Sequence, residues 1–282
     1  MLHLLADVGY QSDWTSVMSA SFMRHALIAG TLVALAAGPI GYFVVVRRDS
    51  FAAHALAHIG FPGATAAVLV GVPVTAGLAV FCTGGGIAIG LLGRRTVDRE
   101  TATGTILAAS TALGVLFASL ASESAGSVTS VLFGNLLAVT PDQLRTFGLM
   151  AAGVLLVLTA IARPLLFASI DPEVAEAKGV ATGTLGLVFM VLLAVFTTMA
   201  VQVVGTLLLF ALVITPAATA LAITARPFLA VGLSAGAALL SVWVGLVLSA
   251  MFNLPPSFPV VALAFTGWLV TTLVTRRRRR RE

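Results

Sequence analysis

Long apolar stretches recur from near the start of the chain to its end, and short connections between them hold most of the charged residues. A bilayer core about 30 Å thick needs about 20 helical residues to cross it, so each stretch predicts a membrane-spanning helix. The pattern predicts nine spans, at residues 22–46, 52–70, 73–93, 101–121, 147–168, 183–199, 202–224, 228–251 and 258–275. The predicted fold class is an all-α polytopic transmembrane helix bundle.

Composition agrees with this pattern. Of 282 residues, 59% are apolar and only 10% are charged, and the mean hydropathy is +1.07, outside the range of ordinary globular domains. No polar stretch is long enough to build a soluble core. We therefore expect residues 1–282 to form a single transmembrane domain, with an N-terminal extracytoplasmic segment at 1–21 and a basic cytoplasmic tail at 276–282. The lone cysteine, Cys82, lies in an apolar stretch and predicts a buried thiol.

Basic residues mark alternate connections, and this predicts the orientation of the chain. By the positive-inside rule the connections rich in arginine and lysine face the cytoplasm, which places the N-terminus outside and the C-terminus inside. The terminal arginine run fits an anchor at anionic lipid rather than a nucleic-acid site. The basic residues of the predicted cytoplasmic connections are Arg47, Arg48, Arg94, Arg95, Arg99, Lys178, Arg226 and the run Arg276 to Arg281.

The second predicted span carries two histidines in the segment HALAHIGFPG, residues 54–63. His54 and His58 are four residues apart, so they share one helix face, at about 9 and 15 Å from the cytoplasmic surface. Two imidazoles at this spacing can bind one metal ion such as zinc. The alternative is that each histidine only forms a hydrogen bond with a neighbouring helix. Polar groups at this depth usually face a cavity or a partner.

Two prolines are candidate helix hinges. Pro62 follows the histidines and removes a backbone donor, and broken helices at membrane depth are tolerated where they line a cavity. Pro216 lies in the seventh predicted span. The alternative for Pro216 is a tolerated kink, which this type of position favours.

The connection between the fifth and sixth predicted spans, residues 169–183, contains helix signals of its own. Asp171 is a good N-cap, Pro172 fits the first helical position, and Glu173 suits the positive end of the helix dipole. Gly179 can end the helix. These signals predict a two-turn cytoplasmic helix that a partner subunit can contact, and the alternative is a solvated connector. The candidate coupling residues are Asp171, Pro172, Glu173, Glu176, Lys178 and Gly179.

The chain lacks a phosphate-binding loop, because its single lysine, Lys178, precedes Gly179 and Val180 rather than standing in a Gly-Lys-Ser/Thr motif. We therefore expect no enzyme activity in this chain. Any use of ATP belongs to a separate partner chain.

Five segments in order resemble the membrane permease subunit of the ATP-binding-cassette (ABC) importers for zinc and manganese. They are SFMRHALIAG at 21–30, VVVRRDSFAAHALAHIGFPGATAAVLVG at 44–71, VLFGNLLAVTPDQL at 131–144, IDPEVAEAKGV at 170–180 and VVGTLLLFALVITPAATA at 203–220. The resemblance implies a multi-pass protein of the bacterial plasma (inner) membrane. It also implies partners: a second permease copy in a homodimer, cytoplasmic ATPase subunits and an extracytoplasmic metal-binding protein.

The resemblance also implies roles for residues. The family pattern in the second span is Asp-x-x-x-His, whose two side chains coordinate the passing metal; His58 matches the histidine, and His54 stands where aspartate is more usual. Imidazole suits zinc and carboxylate suits manganese, so the substitution favours zinc first and manganese second. The segment from Asp171 to Gly179 matches the element that docks on the ATPase, and Pro216 matches the family's proline-containing segment.

Two other transporter classes remain as alternatives. A permease for iron chelates or cobalamin shares the multi-span architecture, but it needs a wide, ligand-poor cavity, which paired histidines oppose. A stand-alone ion-coupled carrier normally places acidic residues within its spans. None of the predicted spans contains Asp or Glu.

Overall fold

The computed structural model describes residues 14–93, 96–120 and 134–279, and within them the chain is helical with no strand. Parts of the predicted N-terminal segment and basic tail, residues 1–13 and 280–282, lie outside the described residues. The described helices are α1 (Trp14–Ser19), α2 (Ser21–Val46), α3 (Ser50–Val70), α4 (Val74–Leu92), α5 (Thr96–Leu120), α6 (Pro141–Ile170), α7 (Pro172–Ala177), α8 (Thr182–Val204), α9 (Thr206–Ile223), α10 (Pro227–Phe252) and α11 (Ser257–Arg279).

The predicted fold class is confirmed. Among the described residues, eight helices are long and apolar enough to cross a membrane, namely α2, α3, α4, α5, α6, α8, α10 and α11. The seventh predicted span corresponds to α9, whose apolar part, Leu208–Ile223, is shorter. The predicted break before this span, at residues 200–201, was wrong. Helix α8 continues to Val204 and the chain turns at Gly205, whose φ of +83° is a conformation that favours glycine.

The chain divides into two compact units. The first contains the described residues of Met1–Tyr42, Asn135–Gly148 and Ala211–Glu282, and the second contains those of Phe43–Gly134 and Leu149–Phe210. The single transmembrane domain inferred from composition stays a prediction.

In the first unit, small residues allow α2 and α10 to approach closely. A Cβ added at Gly38 of α2 would lie 2.6 Å from the backbone nitrogen of Ala235 in α10. Along the same pair of helices the Trp243 indole Nε1 donates a hydrogen bond to Thr31 Oγ1 at 2.9 Å. Helix α9 continues through Pro216, which lines a small apolar cavity of about 240 Å³ with residues of α10 and α11.

In the second unit, α3 packs against α4, α5 and α8. A Cβ added at Gly63 would strike the Gly77 carbonyl oxygen of α4, and one added at Gly77 would strike the Gly63 carbonyl oxygen. Gly114 of α5 similarly leaves room for the Phe61 ring of α3. Such small-residue contacts are how helices associate where no hydrophobic effect drives them together. Cys82 of α4 is fully buried, as predicted.

Candidate metal site

His54 and His58 lie together on one face of α3. Their ring centroids are 4.7 Å apart and the ring planes are inclined at 71°. Both side chains are half-buried, whereas the residues between them, Ala55, Leu56 and Ala57, are buried. The i, i+4 spacing thus orients both imidazoles away from the packed side of α3.

The ring of Phe210, on α9, flanks the histidines. Its centroid lies 5.6 Å from that of His54, and the two rings meet edge to face at 88°. An aromatic neighbour in this geometry restricts the orientation of the imidazole. The sequence analysis missed Phe210, because no motif or spacing in α9 distinguishes it from other apolar residues of that helix.

The two imidazoles can approach a common ion. In a tetrahedral site with Zn–N distances of about 2.1 Å, two ligating nitrogens stand about 3.4 Å apart, a separation compatible with the observed ring positions. Among the described residues no group of three or more His, Cys, Asp or Glu side chains converges to hold a metal. Among the described residues the pair can therefore supply at most two ligands of this kind, so a bound ion would need further ligands from water or a second chain.

Pro62 lies one turn beyond His58 on the same helix. Because proline has no backbone N–H, position 62 cannot donate the usual helical hydrogen bond to the His58 carbonyl. The helix nevertheless continues to Val70, and the Thr65 hydroxyl donates a hydrogen bond to the Pro62 carbonyl at 3.1 Å. Pro62 itself is buried among α3, α4 and α5. Its role as a hinge stays a prediction.

The capped helix predicted between the fifth and sixth spans is present as α7. The Asp171 carboxylate accepts a hydrogen bond from the backbone N–H of Val174 at 3.0 Å, and Pro172 occupies the first helical position. Ala175 is buried, while Asp171 and Pro172 are exposed. The helix ends at Ala177, two residues before Gly179.

Three of the charged candidates on and beside α7 are exposed, but they differ in their contacts. Glu176 accepts a hydrogen bond from the Thr182 hydroxyl, and the Lys178 ammonium stands 5.6 Å from the centre of the Phe167 ring. Glu173 has no hydrogen bond or ion pair with any other described residue.

A buried ion cluster, which the sequence analysis did not single out, lies at the start of α3. The Asp49 side chain is 1% exposed, and its Oδ2 pairs with Arg47 Nε at 3.0 Å. Its Oδ1 pairs with Arg99 Nη1 of α5 at 2.5 Å. Arg47 Nη1 also donates to Ser169 Oγ, near the end of α6, at 3.4 Å. The connections at Arg47, Arg99 and Ser169, all predicted to be cytoplasmic, therefore lie at the same end of the second unit.

The long apolar helices identify the chain as a multi-pass membrane protein. A sequence model described as "ABC 3 transport family" matches residues 19–276. The "Manganese transport system membrane protein MntC" of Listeria monocytogenes is 32% identical over 249 residues, which cover 88% of this chain and 89% of that protein. The "Manganese import system permease protein ScaB" of Streptococcus parasanguinis is 30% identical over 263 residues, covering 93% of each.

A solved structure, "PsaBC from Streptococcus pneumoniae in complex with Fab", superposes with a TM-score of 0.81 at 28% identity and covers 92% of this chain and 94% of that one. The chain belongs to the ABC 3 transport family. It is a membrane permease of the ABC importers for zinc and manganese, as the sequence resemblance indicated. Its location as a multi-pass protein of the bacterial plasma membrane is confirmed with the family.

Proposed function

We propose that this chain forms the transmembrane pathway of an ATP-driven importer for a divalent transition metal, and that the ion pauses between His54 and His58. The observation that supports the proposal is the imidazole pair, with ring centroids 4.7 Å apart and both side chains half-buried on a helix long and apolar enough to span a membrane. Family membership disfavours the alternatives of a chelate permease and a stand-alone carrier.

Incomplete ligation by one chain suits transport. A full tetrahedral set of protein ligands, as in structural zinc sites, holds the ion tightly. Conduction requires a site that binds favourably but also releases. A pair of histidines from one chain meets this requirement, and a second permease copy in a homodimer would bring a second pair to the pathway. The proposed partners are therefore that copy, cytoplasmic ATPase subunits that hydrolyse ATP, and an extracytoplasmic metal-binding protein.

Two opposing arguments bear on the identity of the metal. The relatives MntC and ScaB are named for manganese, and their names favour Mn²⁺ as cargo. His54 favours Zn²⁺, because an imidazole replaces the carboxylate that the family pattern has at this position, and imidazole is the better ligand for zinc. We infer that zinc is carried at least as well as manganese.

Uptake measurements test the pathway. His54→Ala and His58→Ala, alone and together, should abolish ATP-dependent accumulation of Mn²⁺ and Zn²⁺ in cells, measured by elemental analysis of washed cells. The matched control is His25→Ala, which removes a half-buried histidine of α2 that is outside the pair. Wild-type accumulation of both metals in the double variant would refute the proposed site.

A second comparison tests the metal. His54→Asp restores the family pattern, and we expect it to raise the ratio of Mn²⁺ to Zn²⁺ uptake relative to wild type. An unchanged ratio would mean that His54 does not select the cargo.

A further inference from the structure

Asp49 occupies a position where an aspartate usually caps its own helix, but it does not do so here. It is the residue before α3, and its side chain forms no capping hydrogen bond with the first turn. Both carboxylate oxygens instead pair with arginines: Arg47, two residues earlier in the chain, and Arg99 of α5. Because this buried carboxylate does not cap its own helix, its contribution is the tertiary contact with Arg99.

Arg99 joins Asp49 to two further helices. It lies in the first turn of α5, and its Nε donates a hydrogen bond to the Gly93 carbonyl at the end of α4, at 3.1 Å. The predicted cytoplasmic ends of α3, α4 and α5 are thus joined through one carboxylate. Farther along the same three helices, close contacts at Gly63–Gly77 and Gly114–Phe61 pack them together. A displacement at Asp49 is therefore shared by the three helices.

Arg47 joins the same carboxylate to the other side of the unit. Its guanidinium donates to Ser169 Oγ at 3.4 Å and stands 5.3 Å from the centre of the Phe189 ring of α8. Ser169 lies two residues before Asp171, the cap of α7. Arg47 and Arg99 also line a cavity of about 870 Å³ whose wall includes Asp171, Pro172 and Glu173.

The histidines lie on the far side of this cluster. His54 and His58 follow Asp49 by five and nine residues on one continuous helix, which corresponds to about 8 and 14 Å along the helix axis. A helix of this length transmits a displacement of its end to both imidazoles, because its packed neighbours leave it little freedom to bend.

We propose that Asp49 is a positioning residue that links α7 to the histidine-bearing helix, so that movement of α7 driven by the ATPase reaches the metal ligands through Arg47, Asp49 and Arg99. This role rests on the proposed function. The support for this role is spatial: the contacts of Arg47 with Ser169 and of Asp49 with both arginines form a contiguous set from the residues beside α7 to the start of α3.

The test measures metal moved per ATP hydrolysed. The permease, purified with its ATPase, is reconstituted in liposomes with the metal-loaded binding protein, and Mn²⁺ and Zn²⁺ uptake is measured with phosphate release. We expect Asp49→Asn and the double variant Asp49→Asn/Arg99→Gln to lower the ratio by about five-fold or more, while ATP hydrolysis stays within about two-fold of wild type. Asp49→Asn alone leaves both Arg47 and Arg99 without their carboxylate. The double variant also removes the Arg99 charge, so it leaves one unpaired arginine instead of two and provides a second test if the single variant fails to fold.

Asp142→Asn is the matched control, because Asp142 forms an exposed ion pair with Arg145 at 3.5 Å and should leave the ratio unchanged. If the wild-type complex takes up metal normally and the folded double variant moves as much metal per ATP as the wild type, the role of Asp49 is overturned. The proposed function would still stand in that case. If the wild-type complex moves neither Mn²⁺ nor Zn²⁺, the proposed function fails and the role of Asp49 fails with it.

Discussion

The contact between α3 and α4 at Gly63 allows a quantitative prediction. A Cβ at Gly63 would lie 2.8 Å from the Gly77 carbonyl carbon and 2.8 Å from the Phe81 Cβ, and closer still to the Gly77 oxygen. These atoms belong to backbone or to the base of a side chain, so no rotamer change relieves the clash. In Gly63→Ala, α4 must therefore move away from α3 by about 1 Å to restore ordinary carbon contacts.

The magnitude follows from two opposing terms. Overpacking of this kind costs about 1–3 kcal/mol, and replacing glycine by alanine within a helix returns about 0.5–1 kcal/mol. We expect Gly63→Ala to lower the free energy of unfolding by about 1–2 kcal/mol. Gly84→Ala, in α4, is the matched control, since a Cβ there meets no atom of the chain within 4 Å. It should be neutral or stabilising by up to about 1 kcal/mol.

Equilibrium unfolding in mixed micelles of mild detergent and dodecyl sulfate measures both variants, and metal uptake is assayed in the same preparations. Because Gly63 follows His58 by five residues on the same helix, separation of α3 from α4 should also reduce uptake. Stability of Gly63→Ala equal to or above that of Gly84→Ala would show that the two helices are not held at the observed distance, and the packing argument would be wrong.

Three further predictions concern local contacts. Asp171→Ala removes the cap of α7, worth about 1 kcal/mol, and should reduce both the amount of co-purified ATPase and metal uptake. Asp171→Asn, which also caps, should preserve both. Equal loss in the two variants would assign the effect to the charge of Asp171 and not to the cap. Gly179→Ala places a side chain at a φ of +82° and should cost about 1 kcal/mol in unfolding measurements, unlike Gly183→Ala, where equal costs would contradict the strain argument. Trp243→Phe removes the hydrogen bond to Thr31 and should cost about 1 kcal/mol; full additivity with Thr31→Val would show that the bond contributes nothing.

The helical class and the order of the apolar helices followed from the sequence, since lipid cannot satisfy backbone polar groups and forces each apolar stretch into a helix. Local chemistry also sufficed for α7, because the Asp171 cap and the Pro172 position act within one turn. His54 and His58 were recognised because residues four apart must share a helix face. The break at Gly205 was misplaced because the residues on both sides of it are mainly apolar and hydropathy marks no clear boundary there.

Contacts between distant segments were decided only by the tertiary structure. Asp49 and Arg99 are 50 residues apart, and Phe210 reaches His54 from α9. In a membrane helix both the lipid-facing and the packed sides are apolar, so the pattern of residues does not indicate which face meets which neighbour. The sequence alone therefore determined which residues lie at which level of each helix. Only the tertiary structure showed which neighbouring helix each face packs against.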